Sequence, residues 1–401
     1  MGMLSDYRVI DFTSFVSGPT CTRLLADMGA EVIRIERPDK KKGSGPYLGG
    51  ERVVDLGLMR GKKSVTLNAK DPKDHEILMM LIETADIMVE NFRPGVTKRL
   101  GIDYETVSKI KPDIIYTSIS GFGEDSPYRD KGAFDIIAQA MSGVMSVTGE
   151  KGGKPLRCGI SIADIMTGIE AAYGTVCMLL ERNKTGKGNH LDIAMLDTLF
   201  AACNNPATQY LTTGKPAGPI GNEHPQDVPW GDFPTLDGTL IIACARTNTY
   251  RDLCKVLQCE DMAEDPRFVN DDVRLAHKEE CQQMVADHTK NWKSADLISA
   301  LNQAGVPCAL VNSVADACKD PSILHRHMIA EVTHKTAGTY RLPGSPLKFR
   351  NDPVSLTRGA PILGENNREI FSSLGMSHEE IDELLRKQAK VRTIFKEYEM
   401  K

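Results

Sequence analysis

The chain has 401 residues, 49 Lys and Arg against 54 Asp and Glu, and a formal net charge of −5. Hydrophobic residues make up 41% and charged residues 26%, ordinary globular values that exclude a disordered, collagen-like or disulfide-dense chain. The slight acidity excludes a broad nucleic-acid-binding surface but not a local basic cleft, and the length predicts about two domains.

The first third alternates strand and helix. Tyr7 to Phe12 reads as a strand, Ser17-Gly18-Pro19 as a turn, and Thr20 to Met28 as a helix ended by Gly29. Strands are predicted at Glu31 to Ile35, Ser64 to Leu67, Asp86 to Val89 and Asp113 to Ser118. Helices around His75 to Glu83 and Tyr104 to Ile110 lie between them. This alternation implies a parallel sheet with right-handed crossovers. Phe134 to Met145 and Asp164 to Arg182 read as long, largely buried helices, separated by an extended glycine-rich stretch from Gly149 to Ile162. A strand at His190 to Ala194 and a helix from Leu196 to Leu211 follow. These elements make residues 1–211 one domain. Residues 212–237, rich in Gly and Pro, are expected to link it to a smaller domain at 238–320, with a strand at Leu240 to Ala243 and several helices. Met328 to Pro353 reads as strands and turns, and Ser377 caps a last helix from His378 to Lys390.

The ten cysteines are scattered and form no C-x-x-C pair, which suits buried thiols in a reducing cytoplasm. No basic-then-apolar leader opens the chain, so no signal peptide is expected. The longest apolar stretch, Ile165 to Leu180, is interrupted and shorter than the ~20 residues of a membrane span. The first strand-turn-helix holds one glycine, Gly18, where a dinucleotide-binding fingerprint needs three. Gly186-Lys187 lacks both the first glycine and the Ser or Thr of a P-loop. No H-E-x-x-H is present and His325 and His327 have no third ligand nearby, so no metal site is expected; there is also no G-x-S-x-G nucleophile elbow.

What remains is Asp164, where the extended segment meets a long helix among Ile162, Ala163, Ile165, Met166 and Gly168. Such an aspartate serves equally as an N-cap or as an ionised nucleophile toward an acyl group. In the second case backbone N–H groups of the helix start, or of a nearby loop, hold the oxyanion.

Several stretches together resemble the class III CoA-transferase family, also called the formyl-CoA transferase/carnitine CoA-transferase family. They are "VIDFTSFVSGP" from Val9, "LLADMGAEVIRIERP" from Leu24, "GKKSVTLNAKDP" from Gly61, "ADIMVENFRPGVTKRLGIDYE" from Ala85, "SISGFGEDSPYRDKGAFDIIAQAMSG" from Ser118, "SIADIMTGIEAAYG" from Ser161, "KTGKGNHLDIAMLD" from Lys184 and "GNEHP" from Gly221. The resemblance implies an α/β fold: a Rossmann-like large domain with a parallel sheet, built from the N-terminal part and a return segment at 321–401, plus a smaller α+β domain. It also implies an interlocked homodimer.

For chemistry, the resemblance implies a ping-pong exchange in which Asp164 attacks a donor acyl-CoA and passes through aspartyl-anhydride and aspartyl-CoA species. The CoA thioester is a substrate, with no permanent cofactor, and a small carboxylic acid accepts the CoA. Positions resembling the family's CoA contacts are Val16, Ser17, Arg37, Leu67, Asn68, Ala69, Lys70, Asn91, Phe92, Arg93, Arg99, Lys131, Gly132, Ala133, Phe134 and Asp135. Cations among them suit the anionic end of CoA. The racemase branch of the family carries a His before the equivalent of Asp135, where this chain has Phe134. The glycine run of the formyl-CoA transferases is missing between Gly221 and Gly238, and Glu223, His224 and Trp230 are expected to shape the acceptor pocket. The alternatives are a racemase-like enzyme, an acyl-CoA hydrolase or a non-catalytic CoA-binding module.

Overall fold

The computed structural model describes residues 2–351, 354, 356 and 358–399. Pro353, the last residue of the expected strand-and-turn region, lies outside them. The strands are β1 (Arg8–Asp11), β2 (Glu31–Glu36), β3 (Tyr47–Leu48), β4 (Glu51–Arg52), β5 (Lys63–Thr66), β6 (Ile87–Glu90), β7 (Ile115–Ser120) and β8 (Asn189–Ala194). Then come β9 (Trp230–Pro234), β10 (Thr239–Ala243), β11 (Cys308–Leu310), β12 (Ile329–His334) and β13 (Gly338–Pro343). The helices used below are α1 (Ser17–Asp27), α2 (Val53–Leu58), α3 (Pro72–Glu83), α4 (Val96–Leu100), α5 (Tyr104–Ile110), α6 (Asp135–Met141), α7 (Ile162–Thr185), α8 (Met195–Ala202) and α9 (Asn204–Thr213).

The chain divides into two compact units. The first comprises Met1–Val144, Cys158–Ala207 and Ser322–Lys401, and the second Met145–Arg157 and Thr208–Pro321. In the first unit all six strands of the main sheet run parallel, in the order β5-β2-β1-β6-β7-β8. Both faces are covered, so successive residues of one strand enter opposite cores. Val9 packs with Cys21 and Leu25 of α1 and with Ala171 and Leu179 of α7. Its neighbour Ile10 packs with Leu78 and Leu81 of α3 and with Phe371 and Ile381 from the C-terminal segment. The chain winds one way from β1 to β5 and the other way from β6 to β8. The loops after β1 and β6 therefore flank the point where strand order reverses, the usual ligand crevice of such sheets.

A buried ion pair ties the ends of these strands to the rest. Lys62 Nζ lies 2.9 Å from Asp11 Oδ2, and both side chains are wholly buried. Thr13 and Thr22 hydroxyls also donate to Asp11, at 2.5 and 2.8 Å. Burial works to raise the Asp11 pKa, but Lys62 and Arg34 outweigh it and hold the carboxyl below the ordinary value.

In the second unit β9, β10 and β11 form an antiparallel sheet with β10 in the centre. Its core holds Phe233, Leu240, Ile242, Tyr250, Leu253 and Phe268. Trp230–Pro234, inside the stretch expected as a linker, is instead strand β9, in register from Trp230↔Ala243 to Pro234↔Thr239. Pairing with β10 overrides the local glycine and proline signal, and an edge strand tolerates Pro234.

Three helices also differ from expectation. The helix predicted over Phe134 to Met145 stops at Met141, before Gly143 turns the backbone to φ 92°. The helix predicted over Leu196 to Leu211 breaks at Cys203 into α8 and α9. Pro206 lacks the N–H that a continuous helix would bond to Ala202, so it fits only in the first turn of a new one. At 24 residues α7 is long and apolar enough to cross a membrane by composition, yet one face packs into the first unit's core. Its Ile169, Tyr173 and Leu180 are exposed, so it is less buried than predicted. Of the ten cysteines, Cys177 and Cys318 are exposed rather than buried.

Replacing Lys62 with alanine leaves Asp11 as an uncompensated buried charge. Such a change costs about 3–5 kcal/mol, to be read as a lowered midpoint in guanidinium unfolding followed by circular dichroism.

Candidate active site

The loop between β1 and α1 carries the first part of the site. Phe15 sits at φ 62°, a left-handed conformation that a bulky residue rarely adopts. Asn91, just after β6, clamps this loop: its Oδ1 accepts from Ser14 N–H at 2.8 Å, and its Nδ2 donates to Ser14 O at 2.8 Å and to Ser17 Oγ at 3.4 Å. Gly18 makes the clamp possible, because a Cβ there would stand 2.4 Å from Thr13 Cβ and 3.0 Å from Asn91 Cγ.

The second part is the start of α7. The helix begins at Ile162, two residues earlier than predicted, so Asp164 lies in its first turn and is not the N-cap. The capping acceptor comes from another helix. Asp135 Oδ1 accepts from Ala163 N–H at 2.8 Å, and its Oδ2 accepts from Gln139 Nε2 at 2.6 Å. Gln139 Oε1 in turn accepts from Cys158 N–H at 2.8 Å, pinning the segment that leads into α7. Ile162 N–H is taken by Ile160 O. Two of the N–H groups expected to await an oxyanion at this terminus are therefore already used.

Asp164 is half-buried. Burial raises its pKa most, and the negative charge of Asp135 adds to this. The Ser17 hydroxyl and backbone N–H pull the other way, and the net result is a carboxyl pushed up to about 6. At neutral pH the group is ionised, but it is less well solvated than an ordinary aspartate and correspondingly more basic.

A cavity of about 590 Å³ opens beside the β1–α1 loop, and Arg37, Leu67, Asn68, Ala69, Lys70 and Phe92 line it together. Six of the sequence-derived contact residues thus meet in one place. Arg37 is exposed and paired with Asp39 at 2.5 Å. Arg99 is exposed on α4, whose Val96 and Leu100 reach the cavity. Arg93 lies against Gly132, Lys131 stands over the Tyr128 ring at 3.9 Å, and Phe134 meets Phe15 edge-on at 5.9 Å. Ala133 packs with the cluster of Ala138, Ala163, Met195 and Leu199. Val16 is the N-cap residue of α1. Glu223, His224 and Trp230 belong to the second unit, where Lys278 pairs with Glu223 at 2.7 Å and the His224 and Trp230 rings lie 5.0 Å apart.

The family model described as CoA-transferase family III matches residues 4–367. The chain belongs to this family. It is 34% identical over 383 residues to a succinate–glutarate CoA-transferase of Agrobacterium fabrum, covering 92% of this chain and 95% of that protein. It is 36% identical over 374 residues to an acetyl-CoA:oxalate CoA-transferase of Acetobacter aceti, again covering 92% and 95%. The crystal structure of a CAIB/BAIF family protein from Brucella suis superposes with a TM-score of 0.83 at 32% identity, covering 93% of this chain and 99% of that one. The enzyme is thus a family III CoA-transferase, a class whose substrates are acyl-CoA thioesters.

Some residues of this CoA-transferase site escaped sequence reasoning. Gln139 was legible only as a partner one turn from Asp135. Arg34 lines the cavity from near the end of β2, where ligands meet such sheets. Asp164 also yields a stability test. Its folded-state pKa is raised, so the folded protein binds more protons than the unfolded chain between the ordinary carboxylate value and about 6. The ionised group therefore destabilises the fold above that range. Asp164→Asn should melt higher than the native enzyme at pH 8, with the gap closing as pH falls through 6, measured by scanning calorimetry.

Proposed function

We propose that the enzyme moves CoA from a donor acyl-CoA to a small carboxylic acid, with Asp164 as the nucleophile. The observation that carries this reading is Asp164 itself, a half-buried carboxylate with its pKa near 6, held by Ser17 at the start of α1, just after the loop that borders the cleft. The cleft's Arg37 and Lys70 suit the anionic end of CoA, and its Phe12, Leu67 and Phe92 suit the adenine and pantetheine.

In the first step an Asp164 oxygen attacks the thioester carbonyl of the donor. The C–S bond breaks, CoA leaves as the thiolate, and an aspartyl mixed anhydride remains. The thiolate then attacks the aspartyl carbonyl, releasing the donor acid and forming an aspartyl-CoA thioester. The acceptor carboxylate attacks that thioester, giving a second anhydride and thiolate. Attack of the thiolate on the acceptor's carbonyl yields the new acyl-CoA and restores Asp164. Each step exchanges one activated carboxyl for another, so the sequence balances without an external energy source. The loop before α1 supports the developing oxyanion, since the α7 terminus is largely engaged.

Phe134 carries no proton-transferring group, which disfavours racemisation. The exposed Ile169, Tyr173 and Leu180 of α7 and Phe200 of α8 support a homodimer in which a second copy covers this face. The ten cysteines, none of them in a disulfide among the described residues, support a reducing, cytoplasmic setting. The names of the relatives make dicarboxylic acids the first acceptors to test.

Asp164→Ala should lose at least about 10³-fold in kcat with bound acyl-CoA affinity retained. Hydroxylamine should trap the acylated native enzyme, and mass spectrometry should place the hydroxamate on Asp164. The rate should also fall on the acid side of about pH 6, as Asp164 protonates. Transfer at native rate in Asp164→Ala would sink the mechanism.

A further inference from the structure

Beside the CoA cleft the first unit holds a second cavity of about 280 Å³. Its walls are the end of β2, the segment 40–43, the β4–α2 segment, and His334 at the end of β12, with Leu56, Met59 and Leu363 giving an apolar side. Three carboxylates line it, and each has a cation of its own. Glu36 pairs with Lys40 at 2.7 Å and accepts from Ser64 Oγ at 2.6 Å. Glu51 pairs with Lys42 at 2.9 Å, and Asp55 with Arg52 at 3.0 Å.

Among the described residues two buried donor atoms still lack a hydrogen-bond acceptor, although the charge of Arg34 faces Asp11 and Glu36. Arg34 is 6% exposed, and its Nε has no hydrogen-bond partner among the described residues. Its Nη1 is 3.6 Å from Glu36, too long for a hydrogen bond. His334 is 4% exposed. Its Nδ1 accepts from the backbone N–H groups of Thr336 and Ala337, both at 3.1 Å. The neutral ring must then carry its proton on Nε2, and that atom too has no partner among the described residues. Buried donors of this kind are rarely left without an acceptor. A guanidinium and an imidazole N–H on one small cavity call for a ligand that only accepts hydrogen bonds and carries negative charge.

We propose that this cavity is a second oxyanion site, separate from the cleft that takes CoA and sharing Arg34 with it. Its volume admits a phosphate or a short-chain carboxylic acid, and its apolar side suits the acid's alkyl chain. Occupation gives Arg34 Nε and His334 Nε2 their missing acceptor.

The test uses the full-chain enzyme without CoA. The His334 ring Nε2 resonance is followed by ¹⁵N NMR while glutarate or inorganic phosphate is added, with ionic strength held by sodium chloride. A saturable shift with either anion is expected. Isothermal titration calorimetry on Arg34→Met, folded by circular dichroism, should show binding weakened about tenfold or more. A saturable shift with glutarate alone names the acid substrate as the source, and one with phosphate names a phosphate. Phosphate binding should persist when CoA is present; its loss would make the cavity part of the CoA site and overturn the proposal. Asp164→Ala should bind the anion as the native enzyme does, so failure here is distinct from failure of the transfer mechanism. No saturable shift with either anion, or native affinity in Arg34→Met, overturns the proposal.

Discussion

How closely α1 lies on α7 decides where Ser17 and Asp164 stand. A Cβ at Gly168 would fall 2.5 Å from Ser17 O and 2.7 Å from Thr20 Cβ, so only a residue without a side chain fits there. Asp164 lies one turn earlier on the same helix face. The close approach that Gly168 permits is therefore what brings Ser17 onto the Asp164 carboxyl. Ala171, Ala172 and Thr175 continue the buried stripe with small side chains. Any bulkier residue along it would hold the helices apart and separate the two groups.

The electrostatics follow from that packing. Asp135 caps α7 through Ala163, which sets the helix start and also places a second negative charge near Asp164. The same contact thus serves structure and tunes basicity. On the other side of the crevice, the wholly buried Asp11–Lys62 pair anchors the end of β1, and Asn91 holds the loop that follows. Burial makes each of these contacts costly to break from one side only. The result is a loop held from two strands and a helix end held from a neighbouring helix, which gives Ser17 and Asp164 a rigid support.

Most of the sheet was legible along the chain. Strands at Arg8–Asp11, Glu31–Glu36, Lys63–Thr66, Ile87–Glu90, Ile115–Ser120 and Asn189–Ala194 lie within two residues of their predicted limits. In all but the edge strand Asn189–Ala194, which is only partly buried, the apolar runs are buried on both faces, a signal that does not depend on distant partners. Asp164 was legible as a carboxylate in an apolar setting, but its two readings stayed open. Asp135, which caps α7 in its place, and Ser17, which bonds its carboxyl, lie 29 and 147 positions earlier in the chain.

Composition and periodicity by themselves determined the parallel α/β character, the two-unit scale and the cations scattered from Arg37 onward. Motif order added the family. Tertiary structure alone decided that β9 pairs with β10, that Asp135 caps α7, and that Arg34 and His334 meet on one cavity. These outcomes depend on contacts between residues far apart in the chain. Local propensity carries no record of such contacts, because their energy exists only once folding has closed the loops between them.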